Sequence, residues 1–218
     1  MTASTQSLIC PTATEDSSGS VLPAPQSPPQ PPPPRPGLYG ARGWTVRLGL
    51  WTLLSRFPDE LRPVPPACAG GPSTSPLDGA GAPVSDYVPF AGLDAQAATD
   101  LLAVLPEDAL QDRQNQAPTL RALLRACAQG GGRVRLCGYG IGPQRHDERL
   151  SVEGLWVSDP GLAGFEVSPT HAPGCGCQGL WARVSQRYQL DAEGAPDELR
   201  RLCPTWAGGQ DGWWFWWD

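Results

Sequence analysis

The change from a helical repeat to a two-residue repeat between residues 117 and 157 constrains the fold more than any other feature. Residues 117–129 place apolar side chains at helical spacing, at Leu120, Leu123, Leu124 and Cys127. Residues 133–138 and 150–157 instead alternate in polarity, and a charged loop separates them. Apolar residues three and four apart indicate an amphipathic helix, whereas strict alternation indicates a strand. We therefore predict a helix followed by a β-hairpin near 133–158.

The segments around this hairpin predict further helices and strands. Residues 93–105 and 177–188 have helical spacing, and residues 196–203 begin with a proline and acidic residues, which is typical of a helix start. Residues 164–168 and the aromatic C-terminus read as strands. Helices and strands that are segregated in this order are typical of the α+β class. We expect a small antiparallel sheet, made of the hairpin and a C-terminal strand, packed against several helices.

The N-terminal part of the chain differs in composition from the rest. Residues 1–37 hold ten of the 26 prolines and few large apolar residues. Such a segment buries too little apolar surface to offset its ordering entropy, so we predict a disordered Pro-rich tail, with a PxxP-type ligand as the alternative to a plain spacer. Residues 38–62 predict a short structured element, and residues 63–85 predict a Pro/Gly-rich linker. The folded domain is expected over 86–218.

The charge distribution bears on which partners the chain can bind. All sixteen basic residues are Arg, which we interpret as the codon bias of a GC-rich bacterial genome. Residues 84–218 carry eleven Arg and seventeen acidic residues, a net charge of −6. Because an excess of acid repels the phosphate backbone, we expect no nucleic-acid partner.

Membrane insertion and secretion are also disfavoured by the sequence. The most apolar window has only eight residues between Arg47 and Arg56, whereas spanning a bilayer takes ~20 residues. The first twenty residues show no secretory signal, and the seven scattered cysteines are not arranged as a disulfide framework. We therefore expect a cytoplasmic protein with no membrane partner.

His171, Cys175 and Cys177 lie within seven residues in a chain that has only two histidines. Zn²⁺ accepts Cys and His ligands tetrahedrally, and Cys203 is the natural fourth ligand, so a structural zinc site is one hypothesis. A redox dithiol at Cys175 and Cys177 is the second, because a helix N-terminus favours thiolates. The third interpretation is a Pro/Gly loop without a function of its own.

A second candidate site lies in the hairpin loop at His146, Asp147 and Glu148. A histidine beside carboxylates could act as a general base. The alternative is a solvated charged turn, and the sequence assigns no nucleophile to this loop.

Five consecutive aromatic residues near the C-terminus form the third candidate: Trp213, Trp214, Phe215, Trp216 and Trp217. In a strand, the odd-numbered residues face one way and the even-numbered residues face the other. Either the rest of the chain or a homodimer covers both faces, or one face binds a ligand, since Trp is enriched at binding hot spots.

No motif is long or specific enough to assign a family. The combined features favour a non-enzymatic binding or interaction protein, with a protein or a small ligand as its partner. The alternative is a small thiol-dependent redox enzyme or metal-dependent enzyme centred on Cys175, Cys177 and His171.

Overall fold

The predicted hairpin forms the centre of a five-stranded antiparallel sheet, and the α+β class is confirmed. The computed structural model describes residues 36–60, 77–168 and 174–218, all within one compact unit. Most of the predicted tail and linker, at residues 1–35 and 63–76, and the last two residues of the predicted element 38–62 therefore lie outside the described residues. The strands are β1 (Pro36–Gly37), β2 (Gly40–Ala41), β3 (Tyr87–Leu93), β4 (Val134–Ile141), β5 (Arg149–Val157), β6 (Glu198–Leu202) and β7 (Gly212–Trp216). The α-helices are α1 (Trp44–Arg47), α2 (Leu50–Leu54), α3 (Ala95–Val104), α4 (Glu107–Gln111), α5 (Leu120–Gln129) and α6 (Cys177–Tyr188).

The large sheet has the strand order β3–β4–β5–β7–β6, and each neighbouring pair is antiparallel. The C-terminal strand β7 is therefore an interior strand that is paired on both sides. The edge strand β3 is partly covered, because the Ala91 N–H donates to the Phe57 carbonyl oxygen at 3.0 Å.

One face of the sheet is covered by α5 and α6 and holds the main core. Val134, Val157 and Trp213 lie in register across three strands, so their side chains share this face. The Trp181 ring of α6 lies 5.8 Å from the Phe215 ring, measured between centroids. Phe215 is fully buried there.

The short helices α1 and α2 pack near the other end of the sheet and belong to the same buried apolar cluster as α5 and α6. The Trp51 ring lies directly over Gly140, where an added Cβ would come within 2.6 Å of it. The buried Glu148 carboxylate accepts hydrogen bonds from the backbone N–H groups of Gly43 and Thr45, at 2.7 and 2.9 Å. The segment that begins the described chain is thus packed into the same core as the sheet.

Three elements differ from the sequence-based expectation. The segment 196–203, predicted as a helix, contains strand β6, because Leu199 pairs with Phe215 of β7 and is buried there. The predicted strand at 164–168 has no regular secondary structure. Strand β3 was not predicted, since Pro89 and Gly92 interrupt its pattern; an edge strand tolerates both residues.

Every helix in the described part of the chain is too short or too polar to cross a lipid bilayer.

Candidate functional site

The face of the sheet opposite α5 and α6 carries four tryptophans, here called the aromatic face: Trp156, Trp206, Trp214 and Trp216. Trp156 and Trp214 are direct neighbours across β5 and β7, and Trp216 follows on the same side of β7. Trp206 comes from a short 3₁₀ turn, Thr205–Ala207, that follows β6. Trp156 is 1 % exposed, whereas the other three are partly exposed.

Glycines allow these rings to lie directly against the sheet. An added Cβ would come within 2.3 to 2.7 Å of a ring at three positions: Gly92 under Trp206, Gly154 under Trp214, and Gly212 under Trp156. Gly92 also has φ of 76°, which other residues rarely adopt. The rings of Trp156 and Trp206 meet edge to face, with centroids 5.4 Å apart. The backbone of the sheet therefore fixes the positions of these rings.

An open cleft of about 380 Å³ lies beside Trp206. Its lining includes Ala91 and Gly92 of β3 together with Phe57 and Trp206. Phe57 is held in place by the backbone hydrogen bond between its carbonyl oxygen and Ala91. The cleft is thus anchored to the sheet edge on one side and to the aromatic face on the other.

Two arginines line this cleft, Arg56 and Arg135. The Arg56 guanidinium lies 5.4 Å from the centroid of the Phe57 ring, and Arg135 is the register neighbour of Trp156. Neither arginine belongs to an ion pair within the described ranges. The two acids of the cleft are Glu60 and Asp94, and the Asp94 side chain caps α3 by accepting from the Ala97 N–H at 2.9 Å. Both guanidinium groups are therefore available to bind a carboxylate or a phosphate.

The structure brings Cys175 and Cys177 together at the start of α6. The Cys177 thiol donates a hydrogen bond to the Cys175 sulfur, and the Ser168 N–H donates to the same sulfur at 3.3 Å. Desolvation raises the pKa of Cys175, but hydrogen bonds from the Cys177 and Ser168 N–H groups and the Cys177 thiol outweigh it and lower the pKa. The hydrogen bond to Cys175 raises the pKa of Cys177.

The structure describes three of the four predicted zinc ligands. His171 lies outside the described residues, and Cys203 is exposed and follows a strand rather than the expected helix. Among the His, Cys, Asp and Glu side chains of the described segments, no three lie close enough together to hold a metal ion. The zinc site stays a prediction.

The three loop residues of the second candidate site have different environments. His146 is exposed, whereas Glu148 is fully buried against α1 and not in a solvated turn. Asp147 accepts two hydrogen bonds from Arg145, at 2.9 and 2.8 Å, and one from Arg149. The hydrogen bonds from Arg145 are the largest influence on the pKa of Asp147, which falls to about 2. A carboxylate with so low a pKa is a weak general base near neutral pH.

The C-terminal aromatic residues alternate between the two faces, as the sequence pattern predicts. Trp213, Phe215 and Trp217 are buried in the core, with at most 3 % of each exposed. A ligand can therefore reach only Trp214 and Trp216 of the five predicted binding residues. The cleft beside Trp206 could not be found from sequence, because the fold brings its walls together from distant segments.

Comparisons of the chain with protein-family models, with curated proteins and with solved structures give no match. The chemistry of the cleft beside Trp206 and of the Cys175–Cys177 pair is therefore the basis for assigning a function.

Proposed function

We propose that the protein is a non-enzymatic binding protein that holds a small aromatic carboxylate in the cleft beside Trp206. The planar ring of the ligand stacks against Trp206, and its carboxylate pairs with Arg135 or Arg56. The volume of about 380 Å³ is within the range of small-molecule pockets and suits a ligand of one or two rings.

The observation that carries the proposal is the presence of two arginines, unpaired within the described residues, beside a partly exposed tryptophan. Arg binds carboxylates through a planar fork of donors, and aromatic rings favour stacked or edge-to-face partners. The acids Glu60 and Asp94 also line the cleft, so its charges balance. A singly charged carboxylate suits this balance better than a multiply charged phosphate chain.

The proposal can be tested by calorimetric titration of the full chain with indole-3-carboxylate and with the neutral indole-3-carboxamide. We expect the carboxylate to bind more tightly than the carboxamide. Replacing Arg135→Gln should weaken carboxylate binding by about tenfold, equivalent to about 1.4 kcal/mol, and leave carboxamide binding unchanged. The matched control is Arg183→Gln, since Arg183 is an exposed residue of α6. Equal binding of the two probes, or an equal effect of both substitutions, contradicts the proposal.

A homodimer through the C-terminal strand is a second candidate. Because β7 is paired with β5 and β6, it has no free edge to offer a second copy. Such a dimer would therefore use the partly exposed rings of Trp214 and Trp216 as its contact. Light scattering tests it: a dimer that Trp216→Ala converts to a monomer supports this candidate, and a monomer at all concentrations removes it.

A further inference from the structure

The loop that enters α6 is held against the chain at residues 166–168. The Gly176 N–H donates to the Glu166 carbonyl oxygen at 3.2 Å, and the Ser168 N–H donates to the Cys175 sulfur at 3.3 Å. A Cβ on Gly176 would come within 2.6 Å of the Glu166 oxygen, so only glycine fits between the two cysteines without a shift of the backbone. Cys175 and Cys177 flank this glycine, their side chains interact with each other, and both residues are partly exposed.

We propose that Cys175 and Cys177 are a redox-active thiol pair that forms a reversible disulfide by exchange with a low-molecular-weight disulfide. This inference does not depend on the proposed ligand cleft. The pair lies at the start of α6, which packs on the face of the sheet opposite the aromatic face.

The exchange proceeds in two balanced steps. The Cys175 thiolate attacks one sulfur of glutathione disulfide, so that a mixed disulfide forms and one glutathione thiolate leaves. Cys177 then loses its proton to solvent and attacks the Cys175 sulfur, which displaces the second glutathione thiolate. The protein loses two electrons as its two thiols become one disulfide, and one glutathione disulfide is reduced to two molecules of glutathione.

The structure distinguishes the roles of the two cysteines. Cys175 accepts hydrogen bonds from three donors, which favour its thiolate, so it is the attacking residue. Cys177 donates to that sulfur and lies next to it, which makes it the resolving residue. A disulfide between residues only two apart closes a short ring, and strained disulfides are easily reduced. The pair is therefore suited to exchange and not to permanent crosslinking.

The other described cysteines provide internal controls. Cys127 and Cys137 are buried, and burial raises the pKa of Cys127 to about 12. Cys203 is exposed, and no sequence neighbour supplies a second thiol. Cys203 therefore reports the reactivity of a thiol that lacks this arrangement.

The test uses the full chain with Cys10, Cys68 and Cys203 replaced by Ser, incubated with glutathione disulfide and followed by intact mass. We expect a product lighter by two hydrogen atoms, with no retained glutathione. Adding Cys177→Ser should trap one glutathione on the protein, and adding Cys175→Ser should prevent fast reaction. Circular dichroism of each variant checks that it is folded.

Rates relative to Cys203 decide the outcome. In a variant that keeps Cys203 and has Ser at 175 and 177, we expect modification about tenfold slower than that of Cys175 in the trapping variant. Equal rates, or a pair that stays reduced, overturn the proposal. A pair that reacts only after dialysis against a chelator also overturns it, since the thiols would then be metal ligands in the protein as isolated.

Discussion

Replacing Glu148 should lower the free energy of unfolding strongly. Its side chain is fully buried, and its carboxylate accepts hydrogen bonds from the Gly43 N–H, the Thr45 N–H and the Thr45 hydroxyl. Thr45 also accepts a hydrogen bond from the Trp51 indole at 2.9 Å. The carboxylate thereby connects the end of the β4–β5 hairpin to α1 and α2.

The cost of removing this carboxylate follows from the donors that it leaves behind. Glu148→Ala leaves two backbone N–H groups without an acceptor, and Thr45 is 0 % exposed, so water does not easily replace the carboxylate. At about 1–3 kcal/mol for each buried donor left unsatisfied, we expect a loss of about 4 kcal/mol in the free energy of unfolding. Glu148→Gln keeps the volume and one acceptor oxygen, so it should lose about half as much.

Urea unfolding followed by tryptophan fluorescence measures both losses. The matched control is Asp86→Ala, because Asp86 is an exposed acid just before β3 and should contribute less than about 0.5 kcal/mol. If Glu148→Ala and Asp86→Ala destabilise the protein equally, the network around Thr45 does not hold α1 in place and the reasoning fails.

Two further predictions concern packing and pH. Gly212→Ala should destabilise the protein by about 1–3 kcal/mol in urea unfolding, because the new Cβ would meet the buried Trp156 ring at 2.5 Å; Gly164→Ala, with open space around it, should be neutral, and equal losses would contradict the packing. The Asp147 carboxylate has a folded pKa of about 2, below the ordinary 3.8, so its contribution is present above pH ~4 and is lost as the pH falls towards 2. The urea midpoint should fall over that range, and Arg145→Gln should make this fall smaller; an unchanged pH dependence in the variant would refute the assignment.

The elements that the sequence predicts best are those whose periodicity is local. The stripe of α5 and the alternation of β4 and β5 can be read directly from neighbouring residues. Strand β6 could not be predicted, because Pro196 and the acids after it indicate a helix start. Pairing with β7 and burial of Leu199 outweigh that local preference.

Some residues of the candidate binding site can likewise be predicted from a local pattern, and others cannot. Alternation along β7 separates Trp214 and Trp216 from the buried aromatics, so half of the aromatic face is predictable. Trp206 and Phe57 join the site only because the 3₁₀ turn after β6 reaches across the sheet to β3 at the opposite edge, which no local pattern reveals. The close contact between Gly92 and the Trp206 ring likewise follows only from the three-dimensional structure.

The most direct test of the proposed function is the response of the indole N–H signals of the nine tryptophans to indole-3-carboxylate, followed by ¹H–¹⁵N NMR. Trp206→Leu assigns one signal by its loss. We predict that the Trp206 signal shifts progressively with added probe, while the signals of the buried Trp44 and Trp51 do not move. A Trp206 signal that stays fixed while the probe binds elsewhere, or that does not respond at all, would contradict the assignment of the cleft as the binding site.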